Sequence, residues 1–306
     1  MSIQPTTYKG APGWHLSSGA LTATVLRRGA KVQSLCWQGK ELLWQNRQSE
    51  QYAFSSYGDI FETGEFSGFD DMFPNVAASP YPGGVWNGTP LPDHGEVWTQ
   101  DWDCAVQQDA LLCTVHGVRL PYRLEKRVSL AGGNALVLEY RAENLSAYPL
   151  KYIWAAHPLF VLEEGLRLDI PGCREIINAC WDPISLGAYG AHHPWPVASG
   201  GRDLSRLSPQ NGCFNKYYVW GPLPQNRSTL RYAGGPSVTL SAPADAVPYL
   251  GVWTDEGGYG GYGMACAAPE PATGAMDRLD TADLFGQVSV LPPQGAATWH
   301  LHITLE

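Results

Sequence analysis

Apolar and polar residues alternate with a period of two from one end of this chain to the other. In ALTATVLRR, Leu21, Ala23 and Val25 share one face, and in TWHLHITL near the C-terminus Trp299, Leu301 and Ile303 do the same. Successive side chains of a strand point to opposite sides, so the pattern predicts half-buried strands. Further segments of the same kind follow one another: ALLCTVHGV, YRLEKRVSL, ALVLEYRAE, KYIWAA, YYVW, STLRYA, SVTLSA, PYLGVWT and QVSVL. Between two of them Ala131-Gly132-Gly133-Asn134 has the residue types of a hairpin turn. No segment keeps a helical period for three turns, so helices should be short and peripheral. The 34 Gly and 24 Pro are spread over the whole length, which fits frequent chain reversals. Neither a fixed-period repeat nor a linker-like shift in composition divides the 306 residues. The expectation is one all-β domain over residues 1–306, a large antiparallel sandwich or a multi-sheet relative of one.

Charge narrows the class of partner. The formal net charge is -9 and Lys and Arg do not cluster, which argues against nucleic acid. No apolar run approaches the ~20 residues of a membrane span. The start, MSIQPTTYKGAPGWH, has neither the basic residues nor the apolar core of a signal peptide, so a cytoplasmic location is expected. Seven cysteines are scattered without a CxxC pair and read as reduced structural thiols.

The longest stretch without strand character runs from about Asn46 to Pro92 and carries Asp59, Glu62, Glu65, Asp70 and Asp71. Long irregular segments in compact proteins are often functional, although a solvated acidic loop has the same composition. Twelve Trp and fifteen Tyr exceed what a core of this size needs. Aromatic faces with convergent hydrogen bonds are how sugars are held, and Trp98, Trp154 and Trp253 lie near polar residues of interest.

Three places could carry chemistry. In Leu91-Pro92-Asp93-His94-Gly95-Glu96-Val97-Trp98 a histidine sits in a tight turn, a position that surface histidines also occupy. In Trp154-Ala155-Ala156-His157-Pro158 a histidine ends an apolar strand and is kept extended by the proline after it; a satisfied core histidine is the competing reading. In Ala268-Pro269-Glu270-Pro271 a carboxylate is bracketed by prolines at a strand end, which suits a positioned base and equally an exposed strand terminus. His300 and His302 alternate on one strand face without a nearby third ligand, so no metal site is expected there. His192-His193 reads as a loop pair, and Gly257-Gly258-Tyr259-Gly260-Gly261-Tyr262-Gly263 as a hairpin tip, since it lacks the Lys-Ser/Thr of a phosphate loop. The residues thus supply one His and one Glu as acid and base.

The order of LTATVLRRGAKVQSLCWQGKELLW, GFDDMFPNV, LPDHGEVW, AENLSAYPLKYIWAAHPLF, PEPATGAMDRLD and PPQGAATWHLHITL resembles the aldose 1-epimerase (galactose mutarotase-like) family over nearly the full length. That resemblance implies a large antiparallel β-supersandwich with few short helices, no metal and no cofactor. It also implies a small-molecule monosaccharide as partner and a monomer or homodimer. It makes His157 the general acid, Glu270 the general base and His94 a sugar-binding histidine. Asn75, Trp154 and Lys216 complete the implied substrate-binding set, with core packing the alternative for Trp154. Many relatives carry an Arg shortly after the FPN segment, where this chain reads Val76-Ala77-Ala78. Relatives also often have an Asp where this chain has Asn215-Lys216, so Lys216 could meet an anionic sugar, although a surface lysine at a strand start is the commoner reading. A non-catalytic sugar-binding protein and a glycoside-cleaving enzyme, which usually needs two carboxylates, are the competing functions.

Overall fold

The computed structural model describes residues 1–181 and 185–306. Among the described residues, strands form a 13-stranded sheet, a 9-stranded sheet and two small two-stranded sheets, and every named strand pair is antiparallel. The alternation seen in the sequence is the alternation of burial. Leu21, Ala23, Val25, Trp299, Leu301 and Ile303 are all buried, and the residues between them are not fully so. The Ala131–Asn134 turn joins the strands Tyr122–Ala131 and Ala135–Asn144 as a hairpin, with Gly132 and Gly133 both at positive φ. One six-residue α-helix, Leu279–Leu284, and two short 3-10 turns are the helical content among the described residues. No helix among them is long and apolar enough to cross a membrane.

The central run of the large sheet is Val32–Trp37, Phe69–Met72, Ala155–Pro158, Ala265–Ala272, Tyr249–Glu256 and Phe214–Val219, in that spatial order. One side of it packs on the 9-stranded sheet through a continuous apolar core that includes Phe69, Ala267, Leu124, Leu138 and Leu301. The other side carries a separate aromatic cluster of Phe61, Phe66, Trp98, Leu159, Met264, Cys266 and Ala268. The period of two therefore sorts neighbouring residues onto opposite sides, Ala267 to the core and Cys266, Ala268 and Glu270 to the aromatic side.

The segment expected to lack strands from Asn46 to Pro92 contains Phe69–Met72 in the middle of the large sheet and a small pair, Ser79–Pro80 with Pro90–Leu91. Two adjacent aspartates concealed the first of these. Each Asp faces a different side and each meets a lysine: Asp70 lies 3.0 Å from Lys31, and Asp71 lies 2.6 Å from Lys126. Lys126 occupies an inward position of Tyr122–Ala131, between Leu124 and Val128, where the pattern calls for an apolar residue. It also donates to the carbonyl of Ala30, while Asp71 accepts from Tyr140 Oη and from Trp154 Nε1. A buried charge is tolerated only when paired and hydrogen-bonded, and this network meets both conditions.

Candidate active site

A cavity of about 440 Å³ opens on the aromatic side of the large sheet. This volume falls within the range of small-molecule sites. Its walls include Phe61, Phe214, Trp253, Tyr259 and Tyr262, and its polar groups are Glu62, Asp93, His94, His157, Lys216, Glu270 and Asp277. Four of the six residues singled out in the sequence, His94, His157, Lys216 and Glu270, meet here. Two do not line it. Trp154 faces the inter-sheet core, ring against Tyr140 and Trp299, with its N–H on Asp71. Asn75 is fully buried and donates to the carbonyls of Ala77 and Pro92.

The FPN segment is instead a scaffold for two turns. The amide of His94 donates to the carbonyl of Val76, and the amides of Val76 and Ala77 both donate to the carbonyl of Asp277. His94 has φ +56°, and the consecutive Met276 and Asp277 have φ +73° and +55°. Left-handed backbone at non-glycine residues is costly and clusters where a side chain must be aimed. Gly95, at φ +75°, lets this turn lie on the preceding strand end: a Cβ there would come within 2.2 Å of the Phe73 carbonyl oxygen.

His157 and Glu270 meet through strand register. Ala155 pairs with Ala272, and two residues further along each antiparallel strand stand His157 and Glu270. Pro269 and Pro271 have no N–H for the ladder, so the strands part at the carboxylate. His157 Nε2 lies 3.9 Å from Glu270 Oε1, and both residues are buried. Among the described residues, Glu270 Oε1 and His157 Nδ1 have no hydrogen-bond partner. The other Glu270 oxygen is in direct contact with the Lys216 ammonium, which lies 3.4 Å from Asp277 Oδ1.

The two histidines are in opposite electrostatic states. Burial drives His157 well below the ordinary histidine range, and the charges of His94, Lys216 and Lys31 push the same way. Burial works against the charged form of His94 too, but Asp93, Glu62 and Asp70 outweigh it and hold that ring above the ordinary value. Asp93 is bound to the ring, Oδ2 to Nδ1 at 2.9 Å, and the ring stacks on Phe61 with centroids 4.3 Å apart. Burial raises Glu270, Lys216 opposes this, and the net displacement is upward.

Phe61 and Asp277 are not singled out in the sequence, Glu62 is there one carboxylate of the long irregular segment, and Tyr259 and Tyr262 read as part of a hairpin tip. Tyr259 and Tyr262 stand in the glycine-rich tip that joins Tyr249–Glu256 to Ala265–Ala272, and Tyr259 Oη is bonded to Glu62. Aromatic residues among glycines were the available signal. Of the discounted histidines, His192 pairs with Glu175 and His193 bonds to the carbonyl of Leu186. The rings of His300 and His302 lie 4.8 Å apart. No group of three or more potential metal ligands occurs among the described residues.

No protein-family model matches the chain, and no curated protein does. Solved structures do. The Slr1438 protein from Synechocystis sp. PCC 6803 superposes with a TM-score of 0.74 at 17% identity, covering 100% of this chain and 98% of that one. A galactose mutarotase-like protein from Lactobacillus casei gives 0.71 at 18% identity, covering 96% and 100%. A galactose mutarotase related enzyme from Lactobacillus acidophilus gives 0.69 at 15% identity, covering 96% and 97%. Likeness this long at such low identity is likeness of fold, and the chain has the galactose mutarotase-like fold.

Proposed function

We propose that the protein is an aldose 1-epimerase that interconverts the α and β anomers of a free, uncharged hexose-type sugar by acid–base ring opening. The observation that carries this reading is the 3.9 Å separation of His157 Nε2 and Glu270 Oε1, two buried groups on one cavity floor, each with an unused polar atom. Opening the ring needs a base for the proton of the anomeric hydroxyl and an acid for the ring oxygen. Glu270 Oε1 is the base. His94, whose charged form Asp93, Glu62 and Asp70 favour, lies with its ring centroid 5.1 Å from that of His157 and is the source of a proton for it. Negative charge developing on a ring oxygen against His157 Nε2 favours moving the proton there, because electrostatic attraction is strong in a water-poor cavity. Rotation about C1–C2 and reclosure then invert the anomer, with acid and base exchanging roles.

Charge supports an uncharged substrate. Both cations that line the cavity are already matched, His94 by Asp93 and Lys216 by Glu270 and Asp277, so the proposal that Lys216 meets an anionic sugar is replaced. Glu62 adds a carboxylate with no ion-pair partner among the described residues. Exchange of magnetisation between anomers, measured by NMR over neutral, phosphorylated, sulfonated and uronic sugars, tests the reading. At least one neutral aldose should exchange faster with protein, and anionic sugars about tenfold less efficiently or worse, since like charges repel at close range. Failure to accelerate any aldose would refute the activity.

A further inference from the structure

Lys216 and Glu270 stand on strands that are not neighbours. Between Phe214–Val219 and Ala265–Ala272 runs Tyr249–Glu256, and across these three strands Tyr218, Gly251 and Glu270 form one row and Lys216, Trp253 and Ala268 the next. An ordinary side chain at the middle of the first row would crowd Tyr218 and Glu270. Gly251 leaves that place open: a Cβ there would lie 3.2 Å from Glu270 Oε2 and 3.1 Å from Tyr218 Cε1. From the next row the Lys216 ammonium is in contact with Glu270 Oε2. From the other side it is held by Asp277, whose Oδ1 also accepts from Tyr218 Oη at 2.6 Å. Asp277 reaches this position from the left-handed turn it shares with Met276.

We infer that Lys216 and Asp277 are positioning residues for Glu270: the ammonium holds Oε2, keeps the buried carboxylate ionised and leaves Oε1 as the free oxygen facing the cavity, while Asp277 fixes the ammonium. Only the use made of Oε1 rests on the epimerase reading; the arrangement itself does not. A buried carboxylate without a cation would take up a proton and cease to be a base. Among the described residues, the charged or titratable groups that face Glu270 are Lys216, Asp277, His157, His94, Tyr218 and Cys266. Lys216 and His94 favour its ionised form and Asp277 opposes it. Removing Lys216 or Asp277 should therefore move its titration in opposite directions.

The experiment is a pH titration of the glutamate side-chain carboxyl carbons by ¹³C NMR on the full chain, with the Glu270 signal identified by its loss in Glu270→Gln. Lys216→Met should move the Glu270 midpoint upward by about one pH unit or more, the scale expected for losing an adjacent opposite charge. Asp277→Asn should move it downward, and Lys216→Arg should stay near wild type. In anomer exchange, Lys216→Met should lower kcat more than it changes KM and shift the acidic limb of the rate upward. An upward shift in folded Lys216→Met, with Lys216→Arg near wild type, would establish the hold on Oε2 even if no sugar were turned over. An unchanged midpoint in folded Lys216→Met would overturn it. Should Lys216→Met fail to fold, Lys216→Gln takes its place, and an unchanged midpoint there would overturn it as well.

Discussion

His94 and His157 lie with ring centroids 5.1 Å apart, yet their surroundings drive their protonation in opposite directions. Asp93 is bonded to one ring, and among the described residues no carboxylate comes within hydrogen-bonding distance of the other. In a titration followed by the imidazole NMR signals, one midpoint should lie above the ordinary ~6.5 and disappear in His94→Gln. The His157 signal should stay neutral to well below ~6.5. Linked stability follows with opposite signs. The contribution of His94 is complete below ~6.5 and is lost as pH rises through its raised folded value, whereas that of His157 is present above ~6.5 and is lost as pH falls toward its lowered value. A His157 midpoint above ~6.5 in the empty protein would contradict this assignment.

The pair Lys126–Asp71 should be costly to break and cheap to replace. Asp71→Asn leaves a lysine fully buried without its counter-charge, so stability should fall by about 3–5 kcal/mol. Lys126→Met with Asp71→Asn removes both charges and should recover most of that loss. Urea unfolding of the three proteins measures it; a single Asp71→Asn change costing no more than a surface substitution would show that the ion pair carries little.

Gly95→Ala should destabilise by about 2 kcal/mol or more, since it adds a left-handed penalty to a clash with the Phe73 backbone. Because the turn also aims His94, activity should fall along with stability. Thermal unfolding and anomer exchange measured together would show this, and a fully stable, fully active Gly95→Ala would disprove the account of the turn.

Much of the architecture was legible in alternation: Leu21, Ala23 and Val25, or Trp299, Leu301 and Ile303, carry their burial openly. Phe69–Met72 was not, because a two-residue aspartate run looks like a loop until Lys31 and Lys126, distant in sequence from each other, neutralise the two faces. His157 and Glu270 were legible as strand-end residues, but their proximity depends on a register that only the fold supplies. The FPN segment invited a binding role, and the structure makes Asn75 a strut for the Pro92 and Ala77 carbonyls. Asp277 was hidden altogether. Its importance lies in a positive φ and in Lys216, neither of which a local reading of Met276-Asp277-Arg278 contains.

The central claim is that Glu270 and His157 serve one proton-transfer step, and the most direct measurement is the anomer exchange rate of Glu270→Gln, His157→Asn and the double mutant. Each single change should lower kcat by roughly 10²-fold or more with little change in KM. The double mutant should be scarcely slower than either single one, because groups that act as a unit are not additive. Single mutants that remain folded and nearly fully active would contradict the claim, and independent, multiplying losses would show that the two residues do not share a step.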